Sequence, residues 1–168
     1  MGLRGWAFAA ALAVAAAGCQ ALGGSAPDLP APAGWVRSDP FEASDVLLVW
    51  EACKSRAARD GFRIDDDATT FRGRRVVTLW NTQLATTGNE GRRRRRFVEI
   101  LDEEGRAGWY RVQAAVVVQR NEDVDDPLNP VSAKWREEAP DLEEAERLSY
   151  VIAARFRDYG PSREFEER

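Results

Sequence analysis

Apolar residues in this chain fall into one unbroken run, two stripes at helical spacing and four alternating stretches. Residues 6–17 form the run. Val46, Val49, Trp50, Cys53 and Ala57 predict a helix over 44–60, with Ser44 as N-cap, Asp45 in the first turn and Gly61 as a left-handed stop. Phe62, Arg63 and Ile64 alternate as a short strand, and Asp65, Asp66 and Asp67 turn the chain. Residues 74–84 predict a strand with Val76, Thr78, Trp80, Thr82 and Leu84 on one face. Residues 92–101 supply its partner, with Val98 and Ile100 inward and Phe97 and Glu99 outward, and 102–105 turn a hairpin. In 109–120, Tyr110, Val112, Ala114, Val116 and Val118 alternate with Arg111 and Gln113. Adjacent apolar pairs around Val116 predict a central strand partly covered on both faces.

Residues 121–140 read as a long polar excursion. Asp141 with Glu144 is a capping-box variant that opens a second helix. Leu142, Ala145, Leu148, Ile152, Phe156 and Tyr159 are its stripe, and Gly160-Pro161 stop it. The order α-β-β-β-β-α predicts an α+β fold, with two helices packed on one face of a roughly four-stranded antiparallel sheet. Phe62, Trp80, Tyr110 and Phe156 are the expected aromatic anchors of its core.

The apolar run follows a single positive charge, Arg4, and ends in small residues, which are the parts of a secretory leader. It is shorter than the ~20 residues that cross a hydrocarbon core. Leu12 to Cys19 reads L-A-V-A-A-A-G-C, and Ala16-Ala17-Gly18-Cys19 resembles the lipobox of bacterial lipoproteins. That resemblance implies cleavage before Cys19 and diacylglycerol on its sulfur. The acyl chains then hold the protein on the membrane, at roughly 0.8 kcal/mol per buried methylene. Gln20, rather than aspartate, follows the cysteine, which favours the outer over the inner membrane. Plain secretion is the other reading: Ala15-Ala16-Ala17 is an A-x-A cleavage site, and Cys19 then stays free to pair with Cys53.

This organisation divides the chain into a leader (1–18), a lipidated cysteine with a Gly- and Pro-rich flexible tether (19–34), one domain (35–160) and a charged tail (161–168). Residues 35–40 are an entry segment that packs Trp35 on the domain. The whole chain of 168 residues carries −4, and the leader's only charge is Arg4, which leaves −5 beyond it. Nucleic acid is not an expected partner of so acidic a protein. The sequence has no histidine, which removes Ser-His-Asp and Cys-His catalysis and histidine metal sites. Asp65 to Asp67, and Asp123, Asp125 and Asp126, lack the glycine and distal glutamate of an EF-hand and read as polar turns. No metal or cofactor is expected. Cys53 reads as a small core residue.

Arg92, Arg93, Arg94, Arg95 and Arg96 are the anomaly of the mature chain. On a strand, Arg93 and Arg95 face one side and Arg92, Arg94 and Arg96 the other. Arg72, Arg74 and Arg75 are expected nearby. Guanidiniums recognise phosphate and carboxylate, so the run is a candidate anion-binding site; the competing reading is a solvated hairpin end neutralised by acidic turns. Trp50 and Trp80 read as core, whereas Trp109 and Trp135 are expected to be partly exposed and to touch a partner.

The expected function is that of a non-catalytic interaction or assembly module in the cell envelope, facing the periplasm, with the membrane and another envelope protein as partners. The alternative is a module that binds anionic lipid or glycan through the arginine hairpin. The element order resembles envelope-assembly lipoproteins, among them the lipopolysaccharide-assembly lipoprotein that plugs an outer-membrane barrel. Val49 to Ile64 is similar to the opening of the helix-grip domain of barrel-assembly lipoproteins.

Overall fold

The computed structural model describes residues 29, 31–84, 91–123 and 133–157. The leader, Cys19 and the charged tail lie outside them. The described elements are β1 (Val36–Arg37), β2 (Phe41–Glu42), α1 (Val46–Ala57), β3 (Arg75–Val77), β4 (Asn81–Leu84), β5 (Gly91–Asp102), β6 (Trp109–Asn121), β7 (Trp135–Glu137) and α2 (Leu142–Arg157). The fold is α+β with two helices, but the antiparallel sheet has seven strands among the described residues rather than four.

The alternation that marks β5 and β6 in the sequence places them at the centre, paired from Arg92↔Arg120 to Asp102↔Tyr110. Along the outer side of β5 run β3 and β4 in succession. Along the outer side of β6 run β2, β1 and β7. Between β1 and β7, Asp141 N–H donates to the Val116 carbonyl (3.1 Å) and Glu138 N–H to that of Val118 (2.9 Å). These bonds keep the backbone of β6 satisfied where no strand lies beside it.

Helix α1 begins at Val46, and Asp45, not Ser44, caps it by accepting from Leu47 N–H (2.8 Å). It ends at Ala57, short of the expected 60, and the chain then turns through Asp60 and Gly61, both left-handed (φ 62° and 82°). Aspartate tolerates that conformation better than most side chains.

Further corrections concern the strands. Residues 62–64 form no strand; Ile64 makes an isolated bridge to Thr78. Residues 74–84 split into β3 and β4, because the backbone leaves its pairing with β5 at Leu79. Thr78 N–H still donates to the Arg96 carbonyl (3.0 Å), but Leu79 N–H donates to that of Arg63 (2.8 Å). Trp80 is thereby turned out of the core. Trp35 packs on the domain as expected, but the 35–40 segment also contributes β1, and the 121–140 excursion contributes β7.

Both helices pack on one face of the sheet. Val49, Trp50 and Cys53 of α1 and Leu148 and Ile152 of α2 meet Val98, Ile100 and Val112 there. Each such aliphatic burial stabilises by about 1.5–3 kcal/mol. Leu142 is half exposed despite its place in the α2 stripe, and Phe156 stacks on Phe41 with centroids 5.1 Å apart. Of the expected anchors Phe62 is buried, whereas Trp80, Tyr110 and Phe156 are half-buried; β-branched residues fill the deepest positions.

On the other face, Val77, Phe97 and Ala115 are buried beneath Ala68, with Leu29, Trp35 and Val117 against them. The end of the stretch expected to be tether therefore rests on the domain. Gly34 (φ 75°) guides it there, since a Cβ at that position would lie 2.7 Å from Pro140 Cγ.

Candidate functional site

Strand alternation divides the arginine run as the sequence predicts, and the structure gives its members different tasks. On the helix side, Arg96 is 3% exposed. Its Nε donates to Glu144 Oε1 (2.7 Å), and its Nη1 to the carbonyls of Ala57 (3.2 Å) and Arg59 (2.8 Å) at the end of α1. Its Nη2 reaches Asp60 (3.1 Å), and its guanidinium carbon lies 3.7 Å from the centre of the Phe62 ring. Arg94 Nη1 donates to the second oxygen of Glu144, Oε2 (2.9 Å), with Asp141 at 3.7 Å. One buried carboxylate thus bridges two arginines in the first turn of α2, where the helix dipole also favours a negative charge. Arg92 pairs with Glu138 (3.3 Å). Arg96 pulls the Asp60 carboxyl below the usual carboxylate range, chiefly by hydrogen bonding.

The other side of β5 carries Arg93 and Arg95. Arg95 is paired with Asp65 and donates from Nε to the Thr78 carbonyl (2.8 Å). Asp65 also accepts from Ala68 N–H (3.2 Å), so the expected polar turn doubles as the counter-charge of the run. Arg93 is unlike the other four: among the described residues it has no carboxylate partner. Its Nε donates to Gln119 Oε1 (2.8 Å). Its guanidinium carbon lies 4.4 Å from the ring centroids of both Trp80 and Trp135. Trp80 arrives beside β4 and Trp135 on β7, so rings from opposite edges of the sheet converge on one cation at its centre. Partial burial, and then the charge of Arg95, push the Arg93 pKa down. Each such cation–π contact contributes roughly 0.5–2 kcal/mol.

Beside this stack the face that the helices leave open holds a cavity of about 170 Å³. Phe97 and Val117 line it together with Leu29, Pro32 and Trp80, and Arg95, Gln119 and Glu137 contribute its polar groups. A second, wider cleft of about 420 Å³ lies between β1 and α2, among Arg37, Asp39, Glu143 and Arg147.

The remaining sequence candidates separate from this site. Arg74 and Arg75 pair with Asp102 and Glu99 towards the opposite end of β5, so they do not extend the run. Trp109 and Trp135 are both half-buried, but they stand near opposite ends of β6, roughly 40 Å apart along an extended strand. Trp109 lies against Arg106, whose guanidinium carbon is 3.3 Å from its ring centroid. Cys53 is fully buried in the core, and burial drives its thiol pKa up, away from reactivity. Trp80 is the site residue that sequence reasoning assigns to the core instead. Its only signal was the expected pairing of 74–84 with 92–101, which brings it near Arg95 and Arg93.

Among the described residues, no cluster of His, Cys, Asp and Glu has the arrangement of a metal site, and no helix is long and apolar enough to cross a membrane. No protein-family model and no curated protein sequence matches the chain.

Proposed function

We propose that this protein is a membrane-anchored lipoprotein of the bacterial cell envelope, facing the periplasm, whose domain is a non-catalytic interaction module. The anchor reading rests on Leu12 to Cys19. The observation that carries the interaction reading is the open sheet face, where Trp80 and Trp135 hold Arg93 beside an apolar-floored cavity. Aromatic rings and arginine are the side chains that contribute most to protein interfaces. The competing reading, a headgroup-binding arginine hairpin, draws less support, because Arg92, Arg94, Arg95 and Arg96 already have carboxylate partners within the domain.

Two measurements test the proposal. The intact mass of protein from membranes carries the added mass of acyl chains, and Cys19→Ser abolishes it and moves the protein to the aqueous phase of a detergent partition. A photo-crosslinker at Thr82 or Glu137, beside the stack, traps a discrete envelope protein, and Trp135→Ser removes that product. Unmodified Cys19 defeats the anchor, and the absence of any cross-linked protein at both positions defeats the interaction reading.

A further inference from the structure

Four arginines of the run have their charge answered by a carboxylate of the same chain; Arg93 alone does not, among the described residues. It is nevertheless held in place. Gln119 takes its Nε–H, and two indole rings fix the plane of the guanidinium. What remains is the Nη edge, with parallel N–H donors at the spacing of two oxygens on one carbon. Trp80 and Gln119 touch Arg93 and also line the neighbouring cavity, so that cavity lies beside the guanidinium.

From this geometry we infer that Arg93 is a receptor for a single carboxylate carried on a short apolar group, which sits in the cavity floored by Phe97 and Val117. The inference rests on the interaction reading above and gives the chemistry of what is bound. A dianion such as phosphate fits less well. Arg95 is already neutralised by Asp65, which leaves Arg93 as the cation that meets the ligand, and the negative Glu137 at the cavity wall opposes a dianion about twice as strongly as a single carboxylate. A strongly hydrated phosphate also gains nothing from an apolar floor. The same chemistry occurs at the end of a polypeptide with an apolar last residue and in a free short-chain acid.

The test uses the full-length purified protein in detergent, with hexanoate, hexanamide, inorganic phosphate, and a tetrapeptide ending in leucine as free acid or amide. Binding is read by calorimetry and by tryptophan fluorescence, to which Trp80 and Trp135 contribute. The expected result is saturable binding of hexanoate or the free-acid peptide, with the amides and phosphate at least about tenfold weaker. Arg93→Gln loses that binding, and Arg93→Lys, which keeps the charge but not the fork, recovers only part of it. Arg92→Gln, on the opposite face, leaves it unchanged. Should Arg93→Gln fail to fold, Val117→Phe, which fills the cavity, serves instead and is expected to weaken hexanoate by about tenfold or more. Preference for the peptide identifies a chain terminus as the ligand, and preference for hexanoate a free acid. Both outcomes support the inference. Equal binding by folded Arg93→Gln, phosphate as tight as hexanoate, or no binding of either carboxylate overturns it. Absence of carboxylate binding by the parent protein, with the envelope cross-link intact, removes this inference and leaves the interaction reading standing.

Discussion

Arg96 makes hydrogen bonds to Glu144, to Asp60 and to the Ala57 and Arg59 carbonyls at and just beyond the end of α1, at 3% exposure. Three residues away, Arg93 stacks on rings and faces the open side of the sheet. Identical side chains therefore differ in role because alternation sends them to different faces and because the elements above each face differ. The energetic consequence is testable. Arg96→Leu leaves Glu144 buried with only Arg94 to answer it, and uncaps the carbonyls of α1. Breaking a buried pair from one side costs about 3–5 kcal/mol, so Arg96→Leu is expected to lower the urea midpoint sharply. Arg92→Gln, at a half-exposed position beside Glu138, is expected to stay within about 0.5 kcal/mol of the parent. Comparable midpoints for the two variants would remove Arg96 from its structural role.

At the scale of elements, α2 shows what a capping motif means once it is placed in a fold. Asp141 caps the helix as its sequence predicts, accepting from Glu144 N–H (3.0 Å). The reciprocal half of the box is absent: Asp141 N–H donates to Val116 instead, and the Glu144 carboxylate goes to Arg94 and Arg96. The cap and the Glu144 ion pair are thus made by different carboxylates, with Asp141 only at the margin of the network, 3.7 Å from Arg94. Asp141→Ala is expected to cost about 1 kcal/mol, read as a shift in urea midpoint, while circular dichroism still shows α2 formed. A loss nearer that of Arg96→Leu would mean that Asp141 also holds the arginine network together. The same comparison shows what was legible in the sequence. The longest periodic stretches, 92–101, 109–120 and the stripe that starts at Leu142, pointed to β5, β6 and α2. β1, β2 and β7 have two or three residues each, too few to show a period, and they exist because β6 offers unpaired backbone beside them. The break between β3 and β4 was invisible because it comes from Leu79 N–H turning to the Arg63 carbonyl, a contact that no local pattern encodes. Of the candidate site, the alternation of the arginines was legible, but the convergence of Trp80 and Trp135 on Arg93 depends on register across four strands.

For the molecule as a whole, these ion pairs tie stability to pH in a definite direction. The Asp60 carboxyl titrates below its usual range because Arg96 hydrogen-bonds to it, and Glu103, in the β5–β6 turn, does so because Arg111 bonds to it. A carboxyl whose pKa is depressed on folding binds fewer protons in the folded state than in the unfolded one. Its stabilisation is complete above the unfolded value, about 3.9 for aspartate and about 4.3 for glutamate, and it is lost as pH falls through the lower folded value. The protein is therefore expected to lose stability on acidification from pH 5 towards pH 2. Asp60 is more than half exposed, so its share is screened by solvent and shrinks further with salt. Urea titrations at pH 5 and pH 2.5 check this in two ways. The loss between the two pH values should be smaller in Asp60→Asn than in the parent, because that variant has no proton to gain at position 60. It should also be smaller in 0.5 M salt than in 0.05 M salt, where the Debye length is several times longer. An equal loss in parent and Asp60→Asn would show that the Arg96 pair at the end of α1 does not link folding to protons, and would place the acid sensitivity elsewhere in the network.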